Sequence, residues 1–314
     1  MPSAYARGMS IVTAPLTSLR RTVAAELRDR VAGADAEERA WRIWHSPGQR
    51  RFSAEEPICR VQGHAAMYAG GLRALLLQML HPLAMAGVGG HSGYRGDPWG
   101  RLQRTSEFIA VTTFGTIADA DATIAKIRAI HERVRGKAPD GRSYRASDPH
   151  LLAWVHVAEV DSFLTAHQRY ARHPLNPQEA DTYVSQAAWT GEALGMTRAP
   201  HSVAELKQML RDYEPELALT QAAREAADFL LREPPLPVAA RPGYWMLAAG
   251  AVEMLPEHAR SLFGRSLHGW AGRLGDRAVL RPLGQLGTNV VDWALADPAD
   301  VRNSGQRPAA VDTP

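Results

Sequence analysis

The chain of 314 residues is 45% hydrophobic and 22% charged, with a formal net charge of +3 and one cysteine, a composition that supports an ordinary globular core. The lone Cys59 excludes an internal disulfide framework and any four-thiolate zinc or iron–sulfur centre. Lys126, Lys137 and Lys207 are the only lysines, leaving 33 of the 36 basic residues as arginine. Acids are spread among them and no basic stripe carries interleaved aromatics, so a nucleic-acid partner is not expected.

Taken in chain order, residues 1–39 read as a variable N-terminal arm with a helix over TVAAELRDRVAG. Arg20 and Arg21 precede no apolar signal core, and a cytoplasmic location is expected. The most apolar stretch, Ala65 to Gly90, is interrupted by Arg73, Gln78, His81 and Pro82; a spanning helix needs about 20 predominantly apolar residues, so no integral membrane segment is expected.

Beyond it, Asp97-Pro98 and Asp148-Pro149 each place a capping carboxylate before a proline suited to the first helical position. Gly115 and Gly136 mark helix stops. DATIAKIRAIHERVRG, the run from Asp148 to Arg172 and the run from His201 to Glu233 all space apolar residues three and four apart. REPPLPVAARP is a proline-rich connection, GYWMLAAGAVEMLPEHARSLFG a helix pair, and residues 301–314 a disordered tail. With no convincing set of alternating strands, the expected fold is all-α, a single large helical domain over residues 40–300.

Several chemistries fail on spacing. GVGGHSG from Gly87 to Gly93 matches neither a dinucleotide fingerprint nor a phosphate loop and follows a leucine-rich helix instead of a strand. Ser92 lacks the strand of a nucleophile elbow. No glutamate is followed three residues later by histidine, which removes carboxylate-bridged di-iron bundles. That leaves isolated histidines, any one of which could ligate a haem singly, because the porphyrin supplies the other four equatorial nitrogens.

His131 is the best placed, in the seam Ile124, Ile127, His131, Val134. The same pattern also suits a core histidine bonded to a backbone carbonyl. On the helix after Pro98, Arg101, Thr105, Phe108 and Thr112 share a face, with Arg104 beside Arg101. Two guanidiniums there either snorkel to solvent or form a cationic donor pair facing an anionic ligand. His156 lies in the row Leu152, His156, Glu159, Phe163, either as an oriented pair with Glu159 or in a structural hydrogen bond. His81 and His91 receive no role.

The string GGLRALLLQMLHPLAMAGVGGHSGYRGDPWGRLQRTSEFIAVTTFGT, then IRAIHERVRGKAP, YRASDPHLLAWVHVAEVDSF and LPEHARSLFG, together resemble the MpaB and latex clearing protein (rubber oxygenase) family over roughly residues 40 to 270. The resemblance implies an all-helical protein that binds haem b and cleaves carbon–carbon double bonds of isoprenoid chains with dioxygen. It implies His131 as the metal ligand, Arg101 near the distal face with Thr105 as companion, and His156 as a neighbouring structural histidine; Phe108 joins the apolar lining.

Two departures stand out. Where latex clearing proteins carry a lysine able to bind iron, this chain has Arg104, a group that stays protonated and is a very poor metal ligand. Residues 57–96 contain no acid, so the glutamate those enzymes place upstream of the distal helix is missing. The reading is therefore a haem-b-dependent oxygenase, an oxidoreductase using dioxygen on a small apolar substrate of isoprenoid or aromatic type. Its rivals are a haem sensor or carrier, a metal-free helical enzyme holding an anionic ligand with its Arg/His cluster, and a helical scaffold. A homodimer stays open.

Overall fold

Trp154, Val157, Ala158, Ser162, Phe163 and Ala166 are buried on successive faces of one helix, Pro149–Tyr170, and a helix buried on most of its faces runs through the middle of a protein. In the computed structural model, which describes residues 36–91, 98–234, 236, 238–264, 267 and 277–295, the other elements pack around it. Among the described residues thirteen α-helices are present, and the expectation of an all-α architecture is met.

In chain order they are α1 (Ala36–His45), α2 (Pro57–Gln62), α3 (Met67–Gln78), α4 (Pro82–His91), α5 (Pro98–Phe114), α6 (Ile117–His131) and α7 (Pro149–Tyr170). After these come α8 (Pro177–Leu194), α9 (Val203–Tyr213), α10 (Gln221–Arg232), α11 (Arg241–Glu253), α12 (Glu257–Phe263) and α13 (Arg277–Leu295). The Asp148 carboxylate caps α7 by accepting from the His150 N–H, as its Asp-Pro signature predicts. Asp97 and the N-terminal and C-terminal tails lie outside the described residues.

The principal helix pairs are α3 with α7 and α11 with α13. The latter cross at glycine: a Cβ on Gly284 would lie 2.6 Å from the Gly250 Cα, with the Tyr170 hydroxyl at 2.3 Å. Any side chain there would push the helices apart. The apolar run from Ala65 to Gly90 becomes two helices, α3 and α4, bent by 105° at His81 and Pro82. No single described helix is long and apolar enough to cross a membrane, although this bent pair passes by length and composition.

Three expectations are corrected. The helix expected to stop at Gly136 ends at His131, and the chain turns into a short antiparallel hairpin, β1 (Arg135–Lys137) with β2 (Ser143–Arg145). Strands of three residues are too short to show alternation, but Asp140-Gly141 is a turn signature and Gly141 has φ +87°. The long periodic run from His201 to Glu233 is split by a 3-10 turn, Glu214–Glu216, at Pro215. Pro242 belongs to the first turn of α11 and not to the connection before it.

Candidate functional site

Helix α6 begins with Thr116, whose hydroxyl accepts from the Asp119 N–H, and turns Ala120 and Ile124 into the core. Ile127, His131 and Val134 are half-buried and continue that line. The hairpin fixes where this line ends. Tyr144 packs beside Gly136 and under α4, with 3.1 Å between its hydroxyl and a Cβ built on Gly90. His131 is thus the last residue of its helix, held between α6 and the hairpin.

Its chemistry follows from that placement. Burial holds the imidazole below its ordinary pKa, favouring the neutral ring that has a lone pair to give. Nδ1 is buried with no hydrogen-bond partner among the described residues. No bond from this nitrogen to a backbone carbonyl is present among the described residues.

His156 approaches the end of α8 from α7. Arg128, one turn before His131, donates to the Ala193 carbonyl at 3.3 Å near the end of α8. Two residues earlier on α8, a Cβ on Gly191 would lie 3.1 Å from His156 Nδ1 and 2.4 Å from Met196 Sδ. His156 therefore borders the last turns of α8, and Gly191 is the cradle that admits its ring.

His156 and Glu159 are half-buried on α7. Burial pulls His156 down to about 4 and pushes Glu159 up to about 7. Neither shift has a contribution from the other, and His156 Nε2 lacks a partner among the described residues, so the oriented His156–Glu159 pair is not formed. Glu159 is instead an enclosed acid that changes charge near neutrality, in a chain whose 57–96 segment has none. Nothing in its spacing distinguished it from a helix-surface glutamate.

The distal-helix residues sit along a gradient of burial. At the C-terminal end of α5 Thr112 and Thr113 are buried: Thr112 donates to the Phe108 carbonyl at 2.8 Å and Thr113 to Gln62 Oε1 at 2.8 Å. Arg50 holds this end further, its Nε donating to the Phe114 carbonyl at 3.1 Å. Phe108 is half-buried, while Arg104 and Thr105 are exposed and engaged with neighbours. The Arg101 backbone is helical, but its side chain lies outside the described residues. His131 ends α6 and His156 lies on α7 beside Gly191, while Arg104, Thr105 and Phe108 lie on a helix anchored at its C-terminal end.

The buried histidines set an acid limit. His156 and His167 both drop to about 4 through burial. The unfolded chain therefore binds protons below about pH 6.5 that the folded chain refuses, and stability present above that value is lost as pH falls toward 4. Each is worth about 3 kcal/mol at the acid end, at 1.36 kcal/mol per pKa unit. Glu159 works the other way over pH 4.5 to 7, but it is one group against two. Urea midpoints are expected to fall steadily from pH 7 to 4.5; a flat or rising profile would contradict this assignment.

Residues 59–286 match the model of a family described as "ER-bound oxygenase mpaB/B'/Rubber oxygenase, catalytic domain". Two uncharacterised proteins, one of Mycobacterium tuberculosis and one of Mycobacterium bovis, are each 31% identical to this chain over 97 residues. That stretch is 31% of this chain and 38% of each relative. No solved structure matches significantly. Spanning well over half of the sequence and including α5, α6, the hairpin and α7, the family match shows that the chain belongs to the mpaB and rubber oxygenase catalytic-domain family.

Proposed function

We propose that this member of an oxygenase family is a haem-b-dependent oxygenase acting with dioxygen on a small apolar substrate of isoprenoid or aromatic type. The observation that carries the proposal is His131: a neutral imidazole at the end of an inward seam, with a buried nitrogen that no described group satisfies. Such an orphan supports a ligand on that nitrogen.

In this reading His131 holds the haem through one ring nitrogen. Haem b, when bound, supplies redox-active iron for dioxygen activation. Arg101 and Arg104 hold negative charge, either a haem propionate or developing charge on oxygen, and Thr105 fixes the distal helix through its hydroxyl. Phe108 and the apolar face of α6 exclude water. His156 stays neutral beside the site and accepts or donates one hydrogen bond, while Glu159 takes or returns a proton near pH 7.

Arg104 and the acid-free 57–96 segment favour a second reading, a haem sensor or carrier without turnover. Protein produced with a haem precursor separates the two. The oxygenase is expected to show a haem absorption band and to consume oxygen in step with an oxygenated product from isoprenoid or aromatic substrates. Haem binding without oxygen uptake would leave the carrier; colourless protein would remove both.

A further inference from the structure

A second set of metal-ligating side chains lies away from His131, at the break between α3 and α4. His81 starts at that break, His150 is in the first turn of α7, and Glu216 ends the 3-10 turn after α9. Their candidate ligand atoms all lie within 4.8 Å of one another. His81 Nε2 is 3.3 Å from Glu216 Oε2, and His150 Nε2 is 2.9 Å from each carboxylate oxygen. Two ligands at zinc-bond length and tetrahedral angle stand about 3.3 Å apart, so the spacing fits a shared ion.

The proton positions argue for a cation. Tyr213 donates its hydroxyl proton to the His150 carbonyl at 2.8 Å, which leaves its oxygen to accept from His150 Nδ1 at 3.3 Å. In the neutral ring with its proton on Nδ1, His150 Nε2 presents a lone pair toward the carboxylate, which a shared cation satisfies; a doubly protonated ring instead donates to both partners. His81 is 1% exposed, and its Nε2 lies 3.3 Å from the carboxylate without meeting hydrogen-bond geometry. The Ala84 N–H is 3.5 Å from His81 Nδ1, at the outer limit of a hydrogen bond, so that ring is not locked in the opposite tautomer. Arg142, the nearby cation, is ion-paired to Asp140 at 2.7 Å.

We propose that His81, His150 and Glu216 form a binding site for a divalent transition-metal ion of the zinc class, separate from the His131 site. Two imidazoles and a carboxylate are a zinc donor set, with a fourth position open to water because His150 and Glu216 are at the surface. The ion clamps three segments distant in sequence. A backbone bond beside it, from Ala218 N–H to the Leu80 carbonyl at 2.8 Å, already brings two of them together. Occupation would fix the 105° bend on which α4 and the hairpin after His131 rest.

The test is titration of the purified full chain with zinc chloride, read by calorimetry and by metal analysis after dialysis, beside the exposed-site variants His150→Ala and Glu216→Ala. One equivalent bound per chain is expected, weakened at least about 100-fold in either variant. His131→Ala should bind zinc like the parent chain, and His150→Ala should keep normal haem content, so failure here and failure of the haem reading are separable. No binding at micromolar zinc, or binding unchanged in both site variants, would overturn the proposal and leave an ordinary histidine–carboxylate ion pair.

Discussion

His131→Ala is expected to yield folded protein with less than about a tenth of the parent's haem. The ring makes no hydrogen bond that the fold relies on among the described residues, and it lies at the end of its helix, where Glu132 already caps the chain through the Arg128 and Ile130 carbonyls. Alanine is the best helix former, so far-UV circular dichroism should be unchanged. The lost ligand is then the only large effect, visible as a missing haem band and missing iron. Added imidazole should restore part of the band by entering the space the ring vacates. Equal haem content in parent and variant would refute the assignment.

The comparison of His131 with Arg104 shows what a sequence can carry. The seam Ile124, Ile127, His131 is local, set by 3.6-residue periodicity, and its inward direction is legible from the letters. Its meaning was not, because a core histidine has the same pattern; the orphaned Nδ1 is what supports the proposed ligand role. Helix ends were legible where a cap is written in the sequence, as at Asp148, and misread where a tertiary contact ends the helix, as when Tyr144 and the hairpin stop α6 at His131 instead of Gly136.

Residues that matter through long-range neighbours had no local signal. Gly191 admits His156 only because α7 and α8 meet there, and Glu159 is raised only because α7 is enclosed on all sides. His81, His150 and Glu216 are scattered along the chain, and no spacing rule joins them. The family resemblance supplied what periodicity could not, an order of segments, and the matched region 59–286 reaches further toward the C-terminus than the segments that suggested it.

Arg73→Ala is expected to destabilise the protein by about 3–5 kcal/mol, the usual consequence of removing one partner of a buried ion pair. In the sequence Arg73 looks like an interruption in an apolar run; in the structure it is 3% exposed and bonded in three directions. Its Nε donates to the Met254 carbonyl at 2.9 Å, one terminal nitrogen to Ser162 Oγ at 2.7 Å and the other to Asp161 Oδ2 at 2.6 Å. Ser162 in turn donates its hydroxyl hydrogen bond to the Ala158 carbonyl at 2.6 Å, so α3, α7 and the end of α11 meet on one guanidinium.

Alanine leaves Asp161 charged and the Met254 carbonyl without its donor. A cavity bordered by Arg73 and Asp161 lets water reach part of the gap, which places the loss toward the lower end of that range. The melting temperature should drop on the order of 10 °C, at a few degrees per kcal/mol for a chain of this size. Arg73→Lys should recover less than half of the loss, because an ammonium is a point charge and cannot reach three acceptors in the plane of a fork. The arginine bias that looks compositional is, at this position, a geometric requirement. If Arg73→Lys melts with the parent chain, or Arg73→Ala loses less than about 1 kcal/mol as an exposed pair would, the network does not hold these helices together.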